Sequence, residues 1–290
     1  MNPITPEIFK AIEPKKYLEK FLEGGVRADG RTTSCRSLFE VRTNVIESSL
    51  SSASVRIGDS MVIATIKAGI FSVPEGILLV GDQAQGQINV SCDYSLCCLG
   101  ERRLAQLEGS RISKRIESVV NTVVDRSQLD VQFSTSEEDE VTNKAKPVWD
   151  LAIDLLVVRD DGSILDSALV AAITALSNTK LTKINRETMK AVSEEVIPLE
   201  LKTVPIGVSF CMYKDSFLID PTRYEEDVLP RIWLVVDSNK NNVLSFYGPE
   251  SPRNPCYESI QGFTPLSIVR SLFPLITPDI INTRGTVVKQ

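Results

Sequence analysis

The chain has 290 residues, a formal net charge of −6 and no histidine. The absence of histidine excludes imidazole acid–base catalysis, Ser-His and Cys-His nucleophile pairs, and most zinc sites. The negative net charge excludes a uniformly basic surface, although it is compatible with a local basic patch.

The N-terminus and the cysteines favour an intracellular protein. Residues 1–16 lack an apolar core, so we expect no signal peptide, and no run of about 18 apolar residues predicts a membrane span. The six cysteines form no C-x-x-C pair, and the adjacent Cys97 and Cys98 are poorly spaced for a metal site. We therefore expect reduced thiols and no cofactor.

The first part of the chain predicts a helix followed by strands. Thr5 to Gly24 has the pattern of one amphipathic helix, with Thr5 as its cap and Gly24-Gly25 at its end. From Phe39 to Phe71 the pattern is that of strands, with a hairpin turn at Gly58-Asp59.

A second group of segments leads to the middle of the chain. Residues 72–85 predict a loop, and Gln87 to Tyr94 predicts another strand. Arg102 to Arg126 places its apolar residues on one face of a long helix. Residues 134–146 predict a polar, acidic loop.

The stretch from Lys146 to Ser177 is the predicted centre of the fold. Val148 to Val158 is rich in Val, Leu and Ile, which predicts a strand covered on both faces. Residues 163–176 are apolar nearly all round, which predicts a helix buried on most sides. Ser163 and Asp166 have the spacing of a capping box at its start.

Two carboxylates interrupt this central strand. Asp150 and Asp154 are four residues apart and therefore lie on the same face. Carboxylates on a buried strand need partners. We expect either arginines inside the fold or a neighbouring subunit.

The last part of the chain predicts a second β-rich region. Residues 181–195 are polar and predict a loop with a helical turn. The predicted elements beyond it are strands at 204–213, 216–220, 232–236 and 243–246 and a helix at 257–273. Strands followed by a buried helix in each half predict an α+β fold. We divide the chain into an N-terminal helix and arm (1–31), a first domain (32–196) and a second domain (197–290).

Two charged segments carry candidate functional residues. Asp220 to Asp227 could hold a divalent metal or supply an acid and a base, although its composition favours a plain acidic turn. The basic segment with Arg102, Arg103, Arg111, Lys114 and Arg115 could bind phosphates or could be a solvated helix surface. The sequence contains neither a glycine-rich phosphate loop nor an aromatic RNA-binding motif.

Three segments resemble the RNase PH-fold subunits of the eukaryotic RNA exosome. They are FKAIEPKKYLEKFLEGGVRADGR, PVWDLAIDLLVVRDDGSILDSALVAAITAL and FLIDPTRYEED. The resemblance implies two β-α-β-α halves of the type seen in domain 2 of ribosomal protein S5. It also implies a hetero-hexameric ring of RNase PH-like subunits, capped by S1-domain proteins and threaded by single-stranded RNA, without a membrane. Such a complex works in the nucleus, the nucleolus and the cytoplasm.

The resemblance further implies that catalysis is lost. Phosphorolytic members have a G-T-R-like segment where this chain has Gly162-Ser163-Ile164, so the arginine that holds inorganic phosphate is replaced by Ile164. Asp220 and Glu226 occupy positions similar to the two carboxylates of the family, and we interpret them as a degenerate remnant. In similar subunits the loop before Arg102 and Arg103 lies toward the central pore.

We therefore expect a non-catalytic structural subunit that supports 3′ to 5′ RNA processing and degradation, including rRNA maturation and mRNA turnover. Arg102, Arg103 and Arg111 are our candidates for residues along the RNA path. The main alternative is an active phosphate-dependent 3′ to 5′ exoribonuclease, which Ile164 disfavours. A free-standing small-molecule enzyme of the same fold is the third hypothesis.

Overall fold

The computed structural model describes residues 5–250 except 33, 37, 72–85, 96–97, 99, 134–146, 186–190, 215 and 239–241. The expected loops at 72–85 and 134–146 and the expected helix at 257–273 lie outside the described residues. None of the described helices combines the length and the apolarity needed to cross a lipid bilayer. The helices are α1 (Pro6–Ile12), α2 (Pro14–Glu23), α3 (Arg102–Val123), α4 (Ile164–Ser177) and α5 (Arg223–Val228).

The strands form three sheets and confirm the α+β class. They are β1 (Phe39–Thr43), β2 (Ser51–Ile57), β3 (Ser60–Phe71), β4 (Gln87–Tyr94), β5 (Val148–Arg159), β6 (Lys180–Ile184), β7 (Ala191–Pro198), β8 (Pro205–Tyr213), β9 (Ser216–Ile219), β10 (Arg231–Asp237) and β11 (Val243–Glu250). The first sheet has the order β1-β2-β3-β5-β4, the second has the order β11-β10-β8-β9, and β6 pairs with β7. All these pairs are antiparallel except β4 with β5.

Helix α4 is the common core of the first two sheets. It packs against β2 and β3 of the first sheet and against β8 of the second. Every residue from Ile164 to Leu176 is buried, which confirms the prediction of a helix covered on most sides. Because both sheets pack against α4, the burial of this helix joins the two halves of the chain in one core.

The predicted capping box at the start of α4 is wrong. Ser163 has a φ of 51° and makes no side-chain hydrogen bond to the first turn of the helix. The carboxylate of Asp166 instead accepts hydrogen bonds from the Ser209 amide at 3.1 Å, the Ser209 hydroxyl at 2.8 Å and the Trp233 indole at 3.0 Å. The Asp166 carboxylate therefore binds donors on β8 and β10 and does not take part in a capping box.

The prediction of one N-terminal helix is also wrong, because the helix breaks in the middle. Thr5 caps α1 as expected, but α1 ends at Ile12 and α2 begins at Pro14. A proline disfavours helical geometry in the residue before it, and Glu13 has a φ of −132° and a ψ of 72°. Gly24 ends α2, and Gly25 follows with a φ of 72°.

The polar segment 181–195 is not the expected loop, since it contributes β6 and most of β7. Leu181 and Ile184 of β6 are buried in the main core. Tertiary pairing therefore overrides the weak local signal of this segment.

The central strand β5 is covered on one face only, so the prediction of two covered faces is wrong. Its side chains alternate between buried and partly exposed positions. Asp150 and Asp154 lie on the more exposed face, where Asn89 donates to Asp150 at 2.9 Å and Lys67 donates to Asp154 at 2.7 Å. The expected arginine partners are replaced by a lysine and neutral groups, because the two carboxylates reach solvent.

Candidate functional site

The turn before α4 and the acidic segment after β9 meet at one place in the structure. Gly162, in this turn, has a φ of 92°. A Cβ atom at this position would lie 2.3 Å from the Pro221 carbonyl oxygen and 2.5 Å from the Arg223 amide nitrogen. The two segments are therefore in backbone contact, and the contact requires a glycine at residue 162.

Asp220 is held by two arginines, Arg31 at the end of the N-terminal arm and Arg36 just after it. Its side chain is 0% exposed, and it accepts from the Arg36 amide at 2.7 Å and from Arg36 Nη2 at 2.8 Å. Arg31 Nη1 lies 3.4 Å from the same carboxylate. Asp220 therefore connects Arg31 of the arm and Arg36 of the following segment to the second half of the chain.

Glu226 binds the start of α4. Its Oε1 accepts a hydrogen bond of 2.8 Å from the Ser163 amide. Backbone amides at the first turn of a helix form a natural anion site, and here the chain's own carboxylate fills it. Burial, together with the nearby Asp160, raises the pKa of Glu226 to about 7, although Arg231, the Ser163 amide and Arg111 act in the opposite direction.

Ile164 lines a small cavity next to this contact. The residue is 2% exposed, and its aliphatic side chain offers no hydrogen-bond donor. The cavity has a volume of about 20 Å³, which is enough for about one water molecule.

Arg111 lies in an ion-pair cluster on the opposite wall of the cavity. Its guanidinium contacts Glu250 at 2.7 Å and Glu108 at 2.5 Å. Arg115 also contacts Glu250, and Arg231 Nη2 lies 3.8 Å from it. Arg115 belongs to the basic segment identified in the sequence, whereas Arg231 and Glu250 were not predicted as members of this site. Only the four-residue spacing of Arg111 and Arg115, which places them on one helix face, gave a signal.

Arg102 and Arg103 lie apart from this cluster. They are the first two residues of α3, and both are exposed. Nine residues of helix separate Arg102 from Arg111, which corresponds to roughly 13 Å along the axis. The three candidates for the RNA path therefore do not form one patch, and their contact with RNA stays a prediction.

The acidic segment is arranged as a capped helix bound to arginines. Thr222 and Glu225 form a reciprocal capping box at the start of α5, and Glu225 also pairs with Arg27. Among the described residues, no three acidic or thiol side chains converge in the way that a metal ion requires. The described part of Asp220 to Asp227 thus fits the acidic-turn alternative.

Most of the chain is similar to proteins of the 3′ exoribonuclease family. The two domain models of the 3′ exoribonuclease family match residues 35–182 and residues 203–248. The exosome complex component rrp43 of Schizosaccharomyces pombe is 28% identical over 83% of this chain and 86% of its own length. The exosome complex component Rrp42 of Thermococcus kodakarensis is 32% identical over 74% of this chain and 76% of its own length.

Solved structures show the same fold. An archaeal exosome core chain superimposes with a TM-score of 0.72 at 21% identity, over 99% of this chain and 100% of that chain. A chain of the Archaeoglobus fulgidus exosome with RNA bound to the active site gives a TM-score of 0.70 at 23% identity, over 95% and 96% of the two chains. Together with the match of both domain models, this shows that the chain belongs to the 3′ exoribonuclease family and has the RNase PH fold.

Proposed function

We propose that this chain is a non-catalytic ring subunit of the RNA exosome. It assembles with other RNase PH-like subunits and S1-domain cap proteins around single-stranded RNA, in the nucleus, the nucleolus and the cytoplasm. In this role it supports 3′ to 5′ RNA processing and degradation without cleaving RNA itself. Relatives named as exosome complex components, matched over most of their length, support this assignment.

The observation that carries the proposal is the occupied start of α4. Phosphorolysis needs an inorganic phosphate next to the terminal phosphodiester, held by cationic or hydrogen-bonding groups. Here the Ser163 amide already binds Glu226, and the neighbouring side chain is Ile164. A phosphate at this position would meet a carboxylate instead of an arginine, so both charge and hydrogen bonding disfavour its binding.

The second carboxylate gives independent support. A catalytic Asp220 would need a lone pair directed at the substrate or at a magnesium ion. Its oxygens instead accept hydrogen bonds from Arg36 and Arg31, and its side chain is inaccessible to solvent. Freeing this carboxylate would break the contacts of Arg31 and Arg36 with the second half of the chain.

The test of catalysis is a phosphorolysis assay. The purified chain is incubated with single-stranded RNA, inorganic phosphate and magnesium, and nucleoside diphosphates are measured. We expect no release above the buffer control. Release that is lost in the Glu226→Gln variant, which preserves the shape of this site, would contradict the proposal and support an active exoribonuclease.

The test of assembly is co-expression. The outer face of β5 carries the exposed apolar residues Leu156 and Val158, and the strand edges of β4 and β9 end their sheets. Unprotected sheet edges and apolar surface favour association with other chains. We expect the chain alone to aggregate or self-associate and a second RNase PH-like subunit to make it soluble, as measured by native mass spectrometry. A stable monomer without affinity for such subunits would contradict this proposal.

A further inference from the structure

The first two helices form an open groove with an aromatic floor. It is lined by Pro6 and Phe9 of α1 and by Tyr17, Lys20 and Phe21 of α2, and its volume is about 470 Å³. The ring centroids of Phe9 and Tyr17 are 6.2 Å apart, and those of Tyr17 and Phe21 are 5.0 Å apart. All three rings are only partly buried. The groove therefore has the size and the apolar lining of a typical binding pocket.

Helix α1, which forms one wall of the groove, is poorly covered by the rest of the chain. It has seven residues, and none of them is buried. Ile8 and Ile12 are 49% and 67% exposed. An isolated helix of this length is unstable in water, because its few hydrogen bonds do not offset the loss of backbone freedom. A partner that lies in the groove against Phe9 would add contacts that stabilise α1.

Two lysines lie at the edges of the aromatic cluster. Lys20 Nζ is 4.6 Å from the centroid of the Phe9 ring. Lys10 Nζ is 4.3 Å from the centroid of the Tyr224 ring on α5, and this ring lies 6.0 Å from Tyr17. An ammonium group has three N–H donors, and a ring face covers only one side of it. Each lysine can therefore bind a carboxylate while it stays over its ring.

The carboxylates of these helices do not occupy the two lysines. Glu13 pairs with Lys16 at 2.6 Å, and Glu23 pairs with Lys214 at 3.5 Å. Within the described part of the chain, neither Lys10 nor Lys20 forms an ion pair with a carboxylate. Two cations without an ionic partner beside an apolar groove are complementary to a ligand that carries both carboxylates and an apolar side chain.

The charges of α1 and α2 favour a peptide over a nucleic acid. Residues 6–23 contain four lysines and four glutamates, so this part of the chain has no net charge. A run of RNA phosphates needs several cations in excess, and it would meet the glutamates as well as the lysines. A peptide can place single carboxylates next to Lys10 and Lys20 and avoid the glutamates.

We propose that the groove between α1 and α2 binds a short acidic segment of a partner protein. One aromatic or aliphatic side chain of this segment inserts between Phe9, Tyr17 and Phe21, and flanking carboxylates pair with Lys10 and Lys20. This inference goes beyond the proposed function. The groove uses neither the turn before α4 nor Asp220 and Glu226, so peptide binding and phosphorolysis are separate results.

The experiment uses three pools of fluorescein-labelled peptides of nine residues. The central residue is phenylalanine, tyrosine, tryptophan or leucine in every pool, and the two residues on either side of it are glutamates, glutamines or lysines. Fluorescence anisotropy measures binding to the full chain, in complex with the RNase PH-like subunit if the chain needs it for solubility. That subunit alone gives the background. We expect the glutamate pool to bind about fivefold more tightly than the glutamine pool, and the lysine pool to bind most weakly.

Charge variants test the two lysines. In Lys10→Gln/Lys20→Gln the preference for the glutamate pool should fall below about twofold, because the ionic partners are gone. The matched control Lys180→Gln/Lys202→Gln also removes two exposed lysines, and they do not line the groove. It should keep the preference of the wild type. Equal binding of the three pools, or a preference that survives Lys10→Gln/Lys20→Gln, would overturn the proposal.

Hydrogen exchange locates the bound peptide. The backbone amides of α1 should exchange more slowly when the glutamate pool is bound, because the ligand stabilises the helix that contacts it. Unchanged exchange in α1 would place the peptide elsewhere and would also overturn the proposal. Displacement of the glutamate pool by a nine-nucleotide oligouridine would reassign the groove to single-stranded RNA.

Discussion

Arg27 and Glu225 form a bidentate ion pair that joins positions 198 residues apart in the sequence. Both side chains are 1% exposed, and the Nε to Oε1 distance is 2.8 Å. Arg27 also donates to the Ile219 and Asp220 carbonyl oxygens, at 2.8 Å and 3.0 Å. Arg27 thus adds a buried attachment of the N-terminal arm to the second half of the chain, beside the contact of Arg31 with Asp220.

The first prediction concerns this ion pair. Arg27→Met leaves Glu225 buried without its cation, so we expect a loss of about 3–5 kcal/mol in the free energy of unfolding. The variants are compared in the same complex with the RNase PH-like subunit that keeps the chain soluble, and the fluorescence of the buried Trp149 and Trp233 reports unfolding in urea. As a control, Arg42→Met removes an arginine whose side chain is 77% exposed. That change should cost no more than about 1 kcal/mol.

The double variant Arg27→Met/Glu225→Gln tests the coupling. It should lose less stability than the sum of the two single variants, because the second change removes the unpaired charge. Additive losses of unfolding free energy in the double variant would show that Arg27 and Glu225 do not stabilise each other. Equal urea midpoints for Arg27→Met and Arg42→Met would show that the ion pair does not stabilise the fold.

The second prediction concerns the turn before α4. Gly162→Ala places a methyl group against the backbone of Pro221 to Arg223, which cannot move without separating the two segments. We expect the free energy of unfolding to fall by about 3 kcal/mol, because the methyl group overlaps with the backbone and because alanine is strained at a positive φ. Gly69→Ala is the control, since its Cβ would have only the Asp150 carbonyl oxygen nearby, at 3.9 Å. Similar urea midpoints for both variants would refute this expectation.

The third prediction concerns pH. The pKa of Glu226 is about 7 in the folded chain and 4.5 in its ordinary state. Between these values the folded state holds a proton that the unfolded chain has released, so this group's contribution to stability is present below about pH 4.5 and is lost as the pH rises through 7. Glu226→Gln keeps an acceptor for the Ser163 amide but carries no charge. We expect it to be more stable than the wild type at pH 8, by about 1–3 kcal/mol.

The measurement is urea denaturation of both proteins from pH 5 to pH 8. The advantage of Glu226→Gln should shrink toward pH 5, where the wild-type carboxyl is protonated. The exposed variant Glu40→Gln should show no such trend. An advantage that does not change with pH would mean that Glu226 is not the titrating group.

The fourth prediction concerns the RNA path. Arg102→Glu/Arg103→Glu in the assembled ring should weaken RNA binding and reduce the slope of log affinity against log salt by roughly 0.7 for each lost phosphate contact. Arg42→Glu/Arg159→Glu is the control, because both of its arginines are exposed and lie on strands. Native mass spectrometry must show intact rings for both variants. An unchanged slope would place Arg102 and Arg103 on ordinary surface, and a failed assembly would place them in an interface.

The local composition of the sequence was sufficient to predict α4 and several of the strands. The helix from Ile164 to Leu176 has few polar residues, so it is stable only when it is buried, and here it is buried between two sheets. The hairpin of β2 and β3 was equally clear, because Gly58-Asp59 interrupts two apolar runs. The conformation of these elements is determined mainly by residues close together in the sequence, and it could therefore be predicted.

Features that depend on distant residues could not be predicted in this way. Asp166 has the spacing of a helix cap, but its partners Ser209 and Trp233 are on strands more than 40 positions away. The cluster around Glu250 likewise joins α3, β10 and β11, and no single segment reveals it. The wrong prediction that both faces of β5 are covered had a different cause. Asp150 and Asp154 alternate with apolar residues, which indicates one exposed face, but the high content of Val, Leu and Ile obscured this signal.

The position of α4 between two sheets has a consequence for how the chain is made. Ribosomes add about 5–20 residues per second, so about 2 to 7 seconds separate the synthesis of Ser177 from that of Tyr213, the last residue of β8. During this interval β2 and β3 can already cover one side of α4, while the side that later receives β8 is bare. The nascent chain therefore exposes an apolar helix face for seconds, and a chaperone that covers this face, or fast translation of residues 205–213, would limit aggregation.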